Sequence, residues 1–110
     1  MDAGRLPEGW EARAVRFGDE LAWRPADARR LIEELRDAGY AVLGLEIWTP
    51  AGTAPRVWGW SEYEVRYDGD WRRFVGENAA RALSDLEKPL PPDGLVNLTW
   101  VGEAEFGRRG

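Results

Sequence analysis

A helix, a glycine and a strand follow one another between Pro25 and Trp48, and this unit restricts the fold more than any other feature of the chain. The ring of a proline fixes the backbone angle φ at the value of a first helical position. The apolar residues after Pro25 recur at steps of three and four. Gly39 can adopt the left-handed conformation that ends a helix. From Tyr40 to Trp48 the period changes to two, which predicts a strand. The apolar face of the predicted helix consists of Ala28, Leu31, Ile32, Leu35 and Ala38.

The rest of the sequence predicts the strands and the second helix that surround this unit. Strands are predicted from Val57 to Tyr67 and from Leu95 to Val101, and a short edge strand near residues 11–17. Two prolines and a glycine between Thr49 and Arg56 predict a hairpin loop. Asp70 is a suitable N-cap for a second amphipathic helix. We therefore expect an α/β (α+β) two-layer sandwich, with two helices packed on one face of a mostly antiparallel three- to four-stranded sheet. The apolar positions of the second helix are Trp71, Phe74, Val75, Ala79, Ala82, Leu83 and Leu86.

The length of 110 residues predicts a single domain spanning residues 1–110. Within it, residues 1–11 are rich in glycine, proline and charge and are expected to form a loose N-terminal arm. Residues 12–101 form the predicted core, and residues 102–110 a frayed C-terminal tail. Trp23, just before the first helix, is expected to cap the core rather than to contact a ligand.

The composition excludes several kinds of site. The chain contains no cysteine and no histidine, so it lacks a disulfide framework, a thiolate nucleophile, a His-ligated zinc site and a Ser-His-Asp relay. We expect a protein that is not an enzyme and uses no cofactor or metal. The sequence contains no secretory signal pattern and no apolar run that could cross a bilayer, which predicts a cytoplasmic protein without a membrane partner. A net charge of −5 argues against nucleic acid as a direct partner and favours a basic protein.

The register of the predicted hairpin decides which side chains are displayed on the sheet face away from the helices. Placing Trp58 and Trp60 under the helices would also bury Glu62 and Glu64 without partners, which is costly. The opposite register displays large aromatic rings and carboxylates together. Residues 41–70 also hold five acidic against two basic side chains, and tryptophan is enriched where proteins bind one another. The predicted partner-binding residues are Glu46, Trp48, Trp58, Trp60, Glu62 and Glu64.

Other interpretations of this face remain open. Glu62 and Glu64 are two residues apart on a strand and project from the same side, about 6.5–7 Å apart, which gives a row rather than a catalytic cleft. A tryptophan strip could instead stack on a carbohydrate or another small ring. The tryptophans could also pack on each other, on the N-terminal arm or on a second copy of the chain in a homodimer, with the glutamates simply solvated.

The run from Pro25 to Trp48 resembles the helix, glycine and VLG-containing strand at the core of the immunity protein 40 family. The similarity continues through Trp58 and Trp60 and through the helix of residues 71–82, and it covers about residues 19–101. The chain differs from the family pattern in its proline-rich loop and in the Trp-Gly-Trp sequence of the second strand. The resemblance implies a small cytoplasmic protein of a bacterial polymorphic toxin system. Such a protein binds one cognate toxin, in many cases a nuclease, and blocks it without catalysing a reaction.

Overall fold

The structure is an α+β fold, and the computed structural model describes residues 6–51, 54–63 and 67–108. Within these ranges the strands form two antiparallel sheets, a two-stranded hairpin and a three-stranded sheet. The strand that the sequence predicts after Gly39 is the central strand of the larger sheet. In chain order, after a 3₁₀ turn at Glu11–Arg13, the elements are β1 (Val15–Phe17), β2 (Glu20–Ala22), α1 (Pro25–Asp37), β3 (Ala41–Ala51), β4 (Ala54–Glu62), α2 (Trp71–Asp85), β5 (Leu95–Val101) and α3 (Glu103–Arg108). The larger sheet has the order β4-β3-β5.

The first long helix begins and ends as its sequence predicts, and the second begins as its sequence predicts. Pro25 is the first residue of α1, and Gly39, with φ of +86°, closes the helix in the left-handed conformation. The Asp70 side chain accepts a hydrogen bond from the Arg73 backbone N–H at 3.1 Å, as expected of an N-cap. In the part of the chain that the structure describes, no helix is both long and apolar enough to cross a membrane.

The two long helices pack on the same face of the sheet, which confirms the predicted two-layer arrangement. Leu45 and Ile47 of β3 and Leu98 of β5 supply the sheet side of this core. Trp23 is only 1% exposed, and its backbone N–H and carbonyl pair with Val96 at 2.9 and 2.7 Å. Its predicted role beside the helix start is confirmed, and it also covers the outer edge of β5. From the helices, the core includes Ala28, Leu31, Ile32, Leu35, Ala79, Ala82 and Leu86.

Two β-bulges shift the alternation that the sequence alone predicts. Leu43 is an extra residue between the pairs that β3 forms with β5. Regular alternation would place Val42 on the same face as Glu46 and Trp48, but because of this bulge Val42 packs in the main core. Trp58 is an extra residue on β4, between the Ile47–Gly59 and Trp48–Val57 pairs. Because of this bulge, counting every second residue along β4 does not show which residues before Trp58 lie on the same face as Trp60.

The hairpin strands also extend further toward their turn than predicted. β3 continues to Ala51 and β4 starts at Ala54, with Pro50 opposite Pro55. The pairing of β3 with β5 ends at Trp48, so Pro50 has only one neighbouring strand. A missing N–H is tolerated at such an edge, whereas it would interrupt a central strand.

Both ends of the described chain are packed, unlike the loose arm and tail that the sequence predicts. Trp10 is 5% exposed, its indole N–H donates to the Glu34 carboxylate, and its carbonyl accepts a 2.8 Å hydrogen bond from the Trp23 indole. At the other end, residues 103–108 form α3. The ring of Phe106 lies 5.1 to 5.6 Å, centroid to centroid, from the rings of Tyr67, Trp71 and Phe74. Long-range aromatic contacts therefore anchor segments whose local composition is typical of loose chain.

Candidate functional site

The sheet face opposite the helices carries three rows of side chains, one across each set of paired residues. The pairs between β4, β3 and β5 define these rows, because residues directly opposite each other in antiparallel strands share a face. The first row is Val57, Trp48 and Leu95, the second is Trp60, Glu46 and Asn97, and the third is Glu62, Gly44 and Thr99.

In the first row Trp48 and Leu95 are buried, so the predicted exposure of Trp48 is wrong, whereas Val57 at the outer strand is 48% exposed. Trp48 is 3% exposed and packs with Ala22 and Leu95. The ring of Phe17 meets it edge-on, with centroids 5.6 Å apart. The β1–β2 hairpin folds over this end of the sheet, and Trp48 lies at the centre of a small cluster that is separate from the main core. Its indole N–H donates to the Glu46 carboxylate at 2.8 Å, so Trp48 contributes to the site by holding Glu46 in place.

The second and third rows are uncovered, and we call their six residues the open face. Trp60 is 70% exposed and lies directly opposite Glu46 on β3. Trp58 is 57% exposed but sits at the bulge, at the edge of the sheet. Glu62 is exposed and belongs to the open face, as predicted. Glu64, the sixth predicted residue, lies outside the described residues. The open face consists of Gly44, Glu46, Trp60, Glu62, Asn97 and Thr99.

The open face is the floor of a groove of about 450 Å³. Glu20, from the β1–β2 hairpin, lines the groove together with Glu46 and Glu62, and no lysine or arginine is among its described lining residues. The Asn97 amide donates to the Leu21 carbonyl at 2.8 Å, which ties the hairpin to the sheet beside the groove. With Trp60 forming an aromatic wall, the groove concentrates negative potential next to an exposed ring. This arrangement suits a cationic group, which both the carboxylates and the ring face attract.

A smaller cavity of about 170 Å³, which we call the edge notch, lies on the helix side of β4. Trp60 lines both this cavity and the groove, so the two adjoin along one strand. Gly59 is opposite Ile47, so a side chain at this position would point into the cavity. Nothing lies within 4 Å of a Cβ placed at Gly59. The lining of the edge notch includes Ile47, Trp58, Gly59, Trp60, Pro89 and Leu90.

A short chain of polar contacts closes the end of the edge notch. The hydroxyl of Tyr63, which is 3% exposed, donates to Asp85 at 2.5 Å, and Lys88 donates to the same carboxyl group at 2.7 Å. Burial raises the pKa of Tyr63 well above its usual value, and the Asp85 carboxylate raises it further. Partial burial pushes the pKa of Asp85 upward, but the hydrogen bonds from Lys88 and Tyr63 outweigh it and leave that pKa below its usual value. The edge notch therefore has a charge-balanced rim, in contrast to the acidic groove.

The carboxylates of the groove all lie on one side of the sheet. Within residues 6–51, 54–63 and 67–108, no group of three or more acidic side chains is placed to hold a metal ion. Glu46 and Glu62 extend from neighbouring strands on one side of the sheet and do not face each other across a cleft. The groove offers carboxylates, an aromatic ring, an amide and a hydroxyl to a bound molecule.

Several residues of these cavities are not identifiable from local sequence. Glu20 reaches the groove only because the β1–β2 hairpin folds back, and no local pattern indicates that. The alternation of β5 predicts that Asn97 and Thr99 face outward but gives them no function. Pro89 and Leu90 belong to the segment that connects α2 to β5.

Comparisons of the chain with family models, with curated proteins and with solved structures produced no match.

Proposed function

We propose that this protein binds a basic partner protein through the open face, and that the partner is a cognate bacterial toxin whose active site is thereby covered. The observation that carries the proposal is the exposure of Trp60. A ring that is 70% exposed stands on a rigid sheet beside three carboxylates, with no basic residue among the described lining of the same groove.

An exposed tryptophan in this setting is more useful for binding than for folding. Trp60 leaves most of its apolar surface in water, so a partner that covers the ring gains that burial. Tryptophan and arginine dominate the residues that contribute most to protein interfaces. The three carboxylates would speed the encounter with a basic surface and disfavour acidic ones. A specific interface buries about 800 Å² on each partner, so the open face would form its centre and neighbouring loops its rim.

The choice of a toxin as the partner comes from the resemblance to the immunity protein 40 family. A nuclease toxin fits the charge of the groove especially well, because an enzyme that binds nucleic acid presents a basic surface to the phosphates. An acidic face can occupy that surface in place of the substrate. The same negative charge disfavours direct binding of nucleic acid by this protein.

Co-purification tests the proposal. This protein is tagged, co-expressed with the product of the adjacent gene and passed over a size-exclusion column in moderate salt. We expect a one-to-one complex. Glu62→Lys should weaken it strongly, because the change reverses a charge within the groove. Glu77→Lys is the matched control, since Glu77 is an exposed acidic residue of α2, on the side of the sheet away from the open face. A protein that elutes alone, or a complex that both variants weaken equally, would contradict the proposal.

A second candidate function is the binding of a carbohydrate, and the polar lining of the groove favours it. Asn97, Thr99 and the carboxylates could hydrogen-bond to hydroxyl groups while Trp60 stacks on a sugar ring. Quenching or a blue shift of tryptophan fluorescence by oligosaccharides, without any protein partner, would favour this function over the toxin-binding one. A homodimer that covers Trp60 would instead show a concentration-dependent mass in light scattering.

A further inference from the structure

The outer edge of β4 is open for pairing in the described part of the sheet. β4 is the last strand in the order β4-β3-β5, and its described residues pair only with β3. The Tyr63 backbone N–H donates to the Leu43 carbonyl at 2.8 Å and therefore points toward β3. Because the direction of the main-chain groups alternates along an antiparallel strand, those of Trp60 and Glu62 point outward. This segment offers two N–H groups and two carbonyls to another strand.

Proline and a bulge protect only one half of this edge against pairing. Natural proteins protect edge strands with proline, bulges and charges. In β4, Pro55 and the bulge at Trp58 lie in the first half of the strand. From Gly59 to Glu62 the register with β3 is regular. The protected half would limit uncontrolled sheet growth, while the regular half remains able to accept a short segment.

The two cavities lie on opposite faces of this regular half. The acidic groove is on the open face, beside Trp60 and Glu62. The edge notch is on the helix face, beside Gly59. A strand paired with β4 would direct its side chains alternately to these two faces. A residue opposite Trp60 would lie over the acidic groove, and its neighbours would point toward the edge notch.

We propose that β4 accepts an extended segment of the partner as a fourth strand, with basic and apolar residues alternating along it. This inference rests on the proposed function, because it specifies how the partner engages the open face. The basic side chains lie beside Glu62 and the ring of Trp60. One apolar side chain enters the edge notch, whose volume of about 170 Å³ is close to that of an engineered cavity of ~150 Å³ that takes up benzene. One side chain the size of leucine or phenylalanine fills such a space.

Synthetic peptides test this inference without the toxin. The probes are an alternating peptide, Arg-Val-Arg-Val-Arg-Val, a block peptide of the same composition, Arg-Arg-Arg-Val-Val-Val, and an acidic peptide, Glu-Val-Glu-Val-Glu-Val. Binding is followed in ¹H–¹⁵N spectra of the whole protein. We expect the alternating peptide to bind at least about tenfold more tightly than either other peptide, with the largest shifts at the Trp60 and Glu62 amides. Equal binding of the alternating and block peptides would show charge attraction alone and overturn the inference.

A variant that fills the edge notch gives an independent test. Gly59→Leu places a side chain in the notch, and the space around its Cβ is free, so the protein should still fold. We expect it to weaken the alternating peptide at least about tenfold. Gly76→Leu is the matched control, because nothing lies within 4 Å of a Cβ at Gly76 either, and it should leave binding unchanged. Unchanged binding by a folded Gly59→Leu protein would overturn the inference.

The outcomes separate this inference from the proposed function. If the toxin complex forms and depends on Glu62, but the peptides show no preference for alternation, the strand addition is refuted and the toxin-binding proposal stands. If the free protein forms a dimer that Gly59→Leu dissociates, a second copy occupies the β4 edge, and the partner segment proposed here is refuted.

Discussion

Trp48 and Trp60, which lie in neighbouring rows of the same sheet face, should respond very differently to substitution by alanine. Trp48 and Trp60 are both on strands of the hairpin, and the sequence predicts both on the exposed face. In the structure Trp48 is 3% exposed and Trp60 is 70% exposed. Trp48→Ala and Trp60→Ala therefore remove the same side chain from a buried and an open position.

The expected magnitudes follow from the covered area. A tryptophan offers ~200 Å² to be buried, and each Å² of apolar surface contributes about 25 cal/mol. Trp48 buries almost all of this area, so its loss should lower the free energy of unfolding by about 3–5 kcal/mol, including the cavity that remains. Trp60 covers less than a third of its area in the free protein, which gives about 1.5 kcal/mol as an upper limit.

Urea unfolding followed by circular dichroism measures both values, and it avoids fluorescence, which the substitutions themselves change. With a slope of about 2 kcal/mol per M, Trp48→Ala should lower the midpoint by roughly 2 M and Trp60→Ala by less than about 1 M. Toxin binding should show the reverse dependence, because only Trp60 is available to a partner. Equal destabilisation by the two substitutions would refute the assignment of Trp48 to the core and Trp60 to the open face.

Three further predictions concern stability. Tyr63→Phe should lower the free energy of unfolding by about 1.5 kcal/mol at neutral pH, because it removes a hydrogen bond to the Asp85 carboxylate. Burial raises the pKa of Tyr63 in the folded protein above its value of about 10 in the unfolded chain. The stability linked to the neutral hydroxyl is therefore fully present below about pH 10 and is lost as the pH rises further. In urea titrations at high pH, wild type should lose this stability and Tyr63→Phe should not. Gly39→Ala should cost about 1–2 kcal/mol and lower the Tm by several degrees, because φ is +86°, whereas Gly59→Ala should leave the Tm nearly unchanged. Asp70→Ala should lower the Tm more than Asp70→Asn, because asparagine retains a capping oxygen. The Arg73 backbone N–H also holds the pKa of Asp70 below its usual value. The destabilisation caused by Asp70→Ala should therefore become smaller as the pH falls below about 4.

The sequence was sufficient for those parts of the fold that local patterns determine. The spacing from Pro25 to Gly39 predicts α1 and its end, and Asp70 predicts the start of α2. The cost of burying carboxylates predicts that Glu62 and Trp60 lie on the face away from the helices. Each of these predictions depends on residues close together in the chain or on a single pair of strands.

The differences arise where distant segments meet. Nothing near Trp48 indicates that the β1–β2 hairpin covers it, so the alternation of β3 places it wrongly in the exposed set. The bulges at Leu43 and Trp58 shift alternation by one residue, and neither residue type marks a bulge. Trp10 and Phe106 lie in segments with the composition of loose chain, yet contacts with Trp23 and Trp71 anchor them. These outcomes depend on tertiary packing that a period in the sequence does not record.

The indole N–H signals of the seven tryptophans report directly on which surface of the protein a partner covers. In ¹H–¹⁵N spectra each indole gives one cross-peak, and Trp→Phe variants assign them. The account predicts that adding the toxin moves the cross-peaks of Trp58 and Trp60. Those of Trp23 and Trp71, which donate to the Trp10 and Gly39 carbonyls, should stay in place. If the cross-peak of Trp71 moves while that of Trp60 remains unchanged, the partner binds elsewhere and the open face is not the binding surface.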